Sequence, residues 1–425
     1  MPTFVPFFDK ARHQVEKLRA AYPTRPRQAS LKLALWSLGK AARGHILGDV
    51  AVLRASGGGD ELRLAFMLRG GIGDVVINLS WLEALIRLSG VPCRPDVFTG
   101  ASKDCMSALC WNKDYIRRVM TLKQDIPLAD YDAVFDVMQN PQVRAACPER
   151  LEKLSPALWD YVQRLLRFQS SHASFYMDEN QAMGIHYADV MGTFRRGQAD
   201  FDASLGLKDS AFTLQSRLGF AEVARRFSLR PGYVTLQREA GACAHSLKLW
   251  SAAKYASLLE RLCREHPSTQ FVILGMDKNF DAPDSEQVID LRGRTGFDEF
   301  MALVRHARLH IGCEGVVPHL RHYLRGGPSL VLYGPSCARM LSYPENSALS
   351  GTECPNGCEG ILFSWQETCL KGYACCRSLE EITVEQVARR VGEMLDTACS
   401  AELPERRISD PRAAGAPTPD APGEA

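Results

Sequence analysis

Short apolar runs recur along the chain, each closed by glycine or a charge and followed by a longer stretch of helical period. Leu62 to Leu68 predicts a strand that runs into RGGIGD (Arg69 to Asp74) and then an apolar helix over Val75 to Leu88. Pro95 to Thr99 and Ala133 to Val137 predict two more strands. Pro148 to Phe168 predicts one helix, and His186 to Phe194 the helix that ends a first domain. A linker begins at Ser204 to Leu207, and a second domain starts near Pro231. There Tyr233 to Leu236, Phe271 to Leu274, Val288 to Leu291 and Ser329 to Tyr333 predict strands. Ser251 to Glu265, a stretch ending at Arg308 and Ile382 to Leu395 predict helices. Leu309 to Ile311 close an apolar run that Gly312 breaks. His319, Tyr323 and Leu324 follow at helical spacing, and Gly326, Gly327 and Pro328 stop that helix. This alternation predicts an α/β protein of two doubly wound domains facing one another.

Length and charge narrow the classes. The 425 residues suffice for two or three domains, and 46% hydrophobic with 24% charged residues is ordinary for a soluble globular chain. A net charge of +2 makes no case for a nucleic-acid binder. No apolar run reaches the ~18–20 residues of a membrane span. Met1 to Ala20 alternates apolar and charged residues, unlike a secretory signal, so the expected location is the cytoplasm, with peripheral attachment at the inner membrane as an option. That option rests on residues 1–60, read as an N-terminal extension. Phe7 to Ala21 predicts an amphipathic helix, and Arg25 to Gly48 is basic with an apolar stripe at Leu31, Leu35 and Leu38. Such a segment meets anionic lipid or a partner chain, or it simply caps the next domain. Residues 401–425 are rich in proline, alanine and charge and predict a disordered tail.

Asp74 stands at the start of the helix after the glycine turn. One reading is a first-turn acid that stabilises the helix by about 1 kcal/mol. The other is a carboxylate facing a cleft as general base. The turn is not a dinucleotide fingerprint, because its glycine spacing is wrong and no acidic ribose ligand follows in clear register. That weighs against an oxidoreductase.

Taken in order, these motifs resemble glycosyltransferase family 9, the ADP-heptose heptosyltransferases and their relatives. The resemblance spans roughly Leu62 to Leu395. Family members open with a strand and a glycine turn ending Gly-Asp, here Gly73–Asp74. Their second domain opens with a strand, a serine-rich loop and Lys-x-Trp, here Ser246, Lys248 and Trp250. A Gly-Arg-Thr turn is matched by Gly293, Arg294 and Thr295, and the terminal Gly-Pro by Gly334–Pro335. The hallmark Gly-Asn-Asp-Ser-Gly-x-x-His-Leu stands here as Gly312 to Leu320. Glu314 replaces its Asp, and Gly315–Val316 replaces its Ser-Gly, which loses a serine hydroxyl.

The resemblance implies a GT-B architecture, with acceptor domain 61–215, sugar-nucleotide domain 230–398 and inversion at the anomeric carbon. Asp74 matches the family's base and Lys248 its phosphate-binding lysine. Gly73, Ser246, Glu314, Gly315 and Gly334 complete the substrate-binding set, with Glu314 expected on a ribose or sugar hydroxyl. Lys248 also reads as a solvated lysine at a helix start. His319 is either a core histidine or a nucleotide contact, and Arg294 either supports the pocket or lies on the surface. No catalytic metal is expected where protein cations and helix dipoles neutralise the diphosphate.

Cys354, Cys358, Cys369 and Cys375–Cys376 form a cluster over 354–376. Four thiolates at such spacing suit structural zinc or iron, with one of Cys375 and Cys376 spare and Cys375 expected as the ligand. The alternative is a loop of free thiols. The cluster resembles the iron-binding finger of the bacterial autotransporter heptosyltransferases, which implies serines of an adhesin as acceptor and a homo-oligomer. A lipopolysaccharide or capsule acceptor, and a non-catalytic nucleotide-binding assembly protein, are the competing expectations.

Overall fold

The computed structural model describes residues 51–52, 59–122, 126–137, 141–171, 212–239, 247–336, 338–352, 354, 366, 369 and 372–400. The expected helices at Phe7 to Ala21 and His186 to Phe194, the basic stretch Arg25 to Gly48, the linker at Ser204 to Leu207, Ser246, Cys358 and the tail 401–425 lie outside them.

Two six-stranded sheets organise the described residues. The first contains β1 (Ala51–Val52), β2 (Leu64–Leu68), β3 (Asp96–Thr99), β4 (Arg118–Thr121), β5 (Ala133–Val137) and β6 (Pro141–Ala146), in the order β1-β6-β5-β2-β3-β4. Its helices are α1 (Ile72–Ser89), α2 (Lys103–Leu109), α3 (Pro148–Leu154) and α4 (Pro156–Ser171). The central strands LAFML and AVFDV are buried on both faces and apolar apart from Asp136, as a covered parallel sheet requires, and Phe66 stacks on Phe135 at 5.2 Å. β6 runs antiparallel to β5. β1, inside the stretch read as an extension, pairs with β6 at the sheet edge.

The second sheet contains β7 (Val234–Gln237), β8 (Phe271–Ile273), β9 (Val288–Asp290), β10 (Leu309–Cys313), β11 (Ser329–Tyr333) and β12 (Ser347–Ser350). All its pairs are parallel, in the order β12-β11-β10-β7-β8-β9. Its helices are α5 (Phe220–Phe227), α6 (Ala252–Glu265), α7 (Phe297–His306), α8 (Val316–Leu324), α9 (Ala338–Leu341), α10 (Arg377–Glu381) and α11 (Val384–Ser400). The chain winds outward from β7 to β9, then crosses back and winds the other way from β10. The switch point therefore lies between β7 and β10. The equivalent point of the first sheet lies between β2 and β5. No helix among the described residues is long and apolar enough to cross a membrane.

Three expectations change. The single helix over Pro148 to Phe168 is broken at Ser155, because Pro156 forces the residue before it out of the helical region, to φ −148° and ψ 77°. Gly312 does not end its strand. β10 continues through Gly312 and Cys313, and a Cβ at Gly312 would lie 2.7 Å from the Gln237 carbonyl oxygen and from His310 Nε2. Glycine is there because two neighbouring groups leave no room for a side chain. The last helix begins at Val384, not Ile382. Thr383 caps it by accepting from the Gln386 N–H at 3.2 Å, while Gln386 Oε1 accepts from the Thr383 N–H at 2.8 Å.

The halves meet along α1 and α8. The sequence of α1 is apolar nearly all round because it is covered by the first sheet on one side and by α8 on the other. One apolar core runs from Leu68, Val76 and Leu79 through Val317, Leu320 and Leu324 to Leu303. Phe212 packs edge-on against Tyr323 at 4.9 Å, and Tyr323 donates from its hydroxyl to Ser80 Oγ at 3.3 Å. Residues 212–218 strap this seam. Leu214 N–H donates to the Tyr323 carbonyl at 2.8 Å, and Arg217 reaches both Ser107 and Asp298. Arg321, buried on α8, ties that helix down by donating to the carbonyls of Val304, Ala307 and Pro328. Burial pushes its guanidinium down to about 9.

Asn78 on α1 is fully buried, and its amide donates to the carbonyls of Arg69 and Val137, both at 2.9 Å. It fixes the helix against the ends of β2 and β5. Asn78→Ala is expected to lower unfolding stability by about 2 kcal/mol through buried carbonyls left with fewer donors. Urea denaturation checks this; an unchanged midpoint would contradict it.

Candidate functional site

Parallel α/β sheets bind ligands beyond the carboxyl ends of their strands, at the point where the winding reverses. In this chain both reversal points carry the residues singled out above. Lys248 follows β7, Glu314 follows β10, and the Gly70–Asp74 turn follows β2.

Glu314 is the centre of the second half's cluster. It is 7% exposed and lies at the turn between β10 and α8, where its N–H donates to the Leu332 carbonyl at 3.1 Å. Its Oε2 pairs with Lys248 Nζ and accepts from Ser336 Oγ at 2.8 Å. Its Oε1 faces His319 Nε2 at 3.8 Å. Burial alone would push this carboxyl up. The charge of Lys248 and the contact with His319 outweigh it, and the group is held well below the usual carboxylate range. Glu314 is thus a buried anion that holds Lys248 in place. The Lys-x-Trp spacing has a local reason. Trp250 is buried, its N–H donates to Cys313 Sγ at 3.3 Å, and its indole donates to the Ile382 carbonyl at 3.1 Å. That anchor fixes the chain two residues after Lys248.

Asp74 is the N3 residue of α1, and its Oδ2 accepts from the Gly71 N–H at 2.8 Å. The helix-stabilising reading of this acid is therefore realised. Gly70, at φ +91°, is in the left-handed region, and a Cβ there would strike Asp74 Oδ2 at 2.3 Å. Gly73 lies against the other half. A Cβ on it would lie 3.1 Å from His319 Cδ2 and 3.5 Å from Val316 Cα. So Gly73, next to Asp74 in the chain, meets Gly315 and His319 across the seam, and His319 links that contact to Glu314. Arg69 lies next to the turn and grips Asp136 at 2.7 and 2.9 Å, and Arg144 holds the same carboxylate at 2.8 Å.

Other expected residues sit elsewhere. Arg294 is exposed and donates to the Asp290 carbonyl at 3.2 Å, the surface option of its two readings. Gly334 is packed under α10, where a Cβ would meet Leu379 Cδ1 at 2.8 Å and Cys376 Sγ at 3.3 Å. Ser336 and Tyr343 were not expected. Ser336 directly follows the recognised Gly334–Pro335 pair, which is the signal that finds it. Tyr343 has no such signal. Its hydroxyl lies 2.8 Å from His319 Nδ1. Glu239 is a further addition: it accepts from the N–H groups of Met276 and Asp277, which shapes the turn after β8.

Of the expected metal ligands, Cys375 is exposed while Cys376 is half-buried. Burial pushes the Cys376 thiol up, hydrogen bonds from Leu379 and Ser378 oppose this, and the neighbouring Cys354 and Cys369 add to the rise. Cys354 and Cys369 are therefore each near enough to Cys376 to act on its thiol. No three metal-ligating side chains form a ready metal site among the described residues, and Cys358 lies outside these.

No family model matches the chain, and no curated protein does. Solved structures do. The glycosyl transferase family 9 structure from Veillonella parvula is 14% identical, with 79% of this chain and 98% of that one covered at a TM-score of 0.52. The dodecameric iron-containing heptosyltransferase TibC, in complex with ADP-D-beta-D-heptose, is 15% identical over 83% of this chain and 80% of that one, at 0.50. ADP-heptose lps heptosyltransferase II of E. coli is 16% identical over 79% and 99%, at 0.47. The first two show that this chain has the fold of these glycosyltransferases, one of them of family 9.

Glu314 also carries a pH signature. Its folded carboxyl lies below its unfolded value, so the stabilisation is full above the ordinary glutamate range, about pH 5, and is lost as pH falls below it. Glu314→Gln removes that proton uptake. Urea midpoints measured from pH 7 to pH 3 are expected to fall less steeply in the variant than in the wild type.

Proposed function

We propose that the chain is an inverting glycosyltransferase that moves heptose from ADP-heptose to an acceptor hydroxyl. The observation that carries this reading is the Lys248–Glu314–Ser336–His319 cluster at one switch point, set against the Gly73–Asp74 turn at the other. The fold shared with family 9 supports it. In this reading 61–215 is the acceptor domain, 230–398 the donor domain, and the architecture is GT-B.

The donor diphosphate lies beyond β10, where the Lys248 ammonium and the backbone N–H groups at the start of α8 receive its charge. Gly315 offers its N–H there without a side chain in the way. The acceptor oxygen attacks the anomeric carbon from the face opposite the diphosphate. The new C–O bond forms as the bond to the diphosphate oxygen breaks, the electron pair leaves with ADP, and the configuration inverts. Asp74 takes the hydroxyl proton. One of its oxygens is engaged by the Gly71 N–H, and a carboxylate has about four lone-pair sites, so capping and proton transfer are compatible. In this reading the donor side works without a metal: Lys248, drawn from Glu314 toward the diphosphate, and the start of α8 meet its charge.

For the acceptor, serines of an adhesin are favoured over lipopolysaccharide or capsule. The support is the cysteine-rich segment, together with the likeness to an iron-containing, dodecameric enzyme. The homo-oligomer is part of the same reading, as is a cytoplasmic setting. Cys354, Cys369 and Cys376, with Cys358, are the residues to hold the structural iron or zinc. Cys376 replaces Cys375 in the set because it is the less exposed and lies near the other two. A second reading, nucleotide binding without transfer, draws on Asp74 already serving as a helix cap.

Incubation with ADP-heptose and an adhesin passenger domain, followed by mass spectrometry, decides between them. A heptose-sized increment is expected with the wild type. Asp74→Asn, which retains a capping oxygen, is expected to lose at least about 100-fold in transfer rate while still binding ADP. ADP-heptose that binds but is never consumed, with lipopolysaccharide acceptors also unmodified, would leave the binding-protein reading. Lys248→Gln is expected to weaken ADP binding about tenfold by calorimetry, the loss of one charge-assisted contact. Metal analysis of the purified full chain is expected to find iron or zinc, lost in Cys376→Ser and retained in Cys375→Ser; a metal-free wild type would refute the ligand set.

A further inference from the structure

His319 touches both halves of the candidate site. Its Nε2 faces Glu314, and its Cδ2 edge lies where Gly73 leaves room for it. Which face of an imidazole points where is set by what holds its other nitrogen. Here Nδ1 is 2.8 Å from the Tyr343 hydroxyl. Glu314 is an acceptor, which favours the proton on Nε2, so Nδ1 accepts and Tyr343 donates. Tyr343 is itself well fixed. Its ring stacks on His322 at 3.8 Å and 11°, and His322 Nδ1 lies 2.7 Å from Glu345 Oε1. Its backbone opens a turn with Pro344 in second place, closed by the Asn346 N–H donating to the Tyr343 carbonyl at 3.0 Å. The Asn346 amide oxygen accepts from the Ser329 N–H at 2.9 Å, which ties the turn to the start of β11.

We propose that Tyr343 is a positioning residue: its hydroxyl holds the His319 ring with Nε2 toward Glu314 and the ring edge seated on the Gly73–Asp74 turn. This rests on reading the cluster as the donor pocket. Tyr343 acts through His319, so the geometry of the pocket and the approach of the acceptor turn depend on one hydroxyl outside every recognised motif. Without it the imidazole turns about its two-fold side-chain torsion, and Glu314 and Gly73 lose a defined neighbour.

Tyr343→Phe retains the ring that stacks on His322 and removes the hydroxyl alone. ADP affinity is measured by calorimetry for the wild type, Tyr343→Phe, His319→Ala and the double variant. Tyr343→Phe is expected to bind ADP about fivefold more weakly, the loss of one neutral hydrogen bond. His319→Ala is expected to lose at least as much, and the double variant no more than His319→Ala. Nitrogen-15 histidine spectra of the full chain give a second readout. The His319 Nδ1 signal is expected to show a hydrogen-bonded acceptor in the wild type and to lose that character in Tyr343→Phe, with His322 unchanged. Wild-type affinity in Tyr343→Phe, or a loss that adds to that of His319→Ala, overturns the proposal. A wild type that binds no ADP overturns the donor-pocket reading, and the histidine spectrum then still decides on Tyr343, since an unchanged His319 signal refutes the positioning role.

Discussion

The seam between α1 and α8 is the constraint on which the candidate site depends. Each helix begins at a turn that follows a central strand, β2 or β10. Packing the two helices together therefore brings the two turns into register without any further element. Close contact at their starts leaves little room beside Gly73, where a Cβ would lie 3.1 Å from the edge of His319. A substitution at Gly73 would be felt first as a displaced histidine and then, through Glu314, at Lys248. Tertiary packing and site geometry are one problem at this seam.

Electrostatics in the two halves follow one pattern with different outcomes. In the first sheet buried aspartates are each held by arginines: Asp96 by Arg117 and Arg118, Asp132 by Arg63 and Arg150, Asp136 by Arg69 and Arg144. Two guanidiniums on one carboxylate satisfy its lone pairs and leave net positive charge. In the second half Glu314 has one lysine, one hydroxyl and a histidine, a looser set. A diphosphate arriving there would compete with Glu314 for Lys248, which a carboxylate gripped by two arginines would resist.

Much of the architecture was legible because covered parallel strands are short apolar runs and glycine turns punctuate them. β2, β5 and β11 were placed to within a residue or two for that reason. The elements that escaped lack that signature. β4 is an exposed edge strand, RVMT, with little apolar content, and β6 carries Arg144 among its residues. Gly312 was misread because a glycine demanded by close strand packing looks, in sequence, like one demanded by a turn. In the candidate cluster, Lys248, Glu314 and His319 are legible through ordered motifs. Tyr343 was not, because it reaches His319 from 24 positions away and depends on a turn whose sequence, Tyr-Pro-Glu-Asn, is ordinary.

The strap of residues 212–218 has a consequence for dissecting the protein. It buries Phe212 against Tyr323 while Arg217 spans Ser107 and Asp298, so it belongs to both halves at once. Each half expressed alone would present the apolar flank of α1 or α8 to water, with no native partner to cover it. The smallest independently soluble unit of this chain is therefore expected to be the pair of sheets with the strap intact, and gene fragments cut at the domain border would yield aggregates rather than modules.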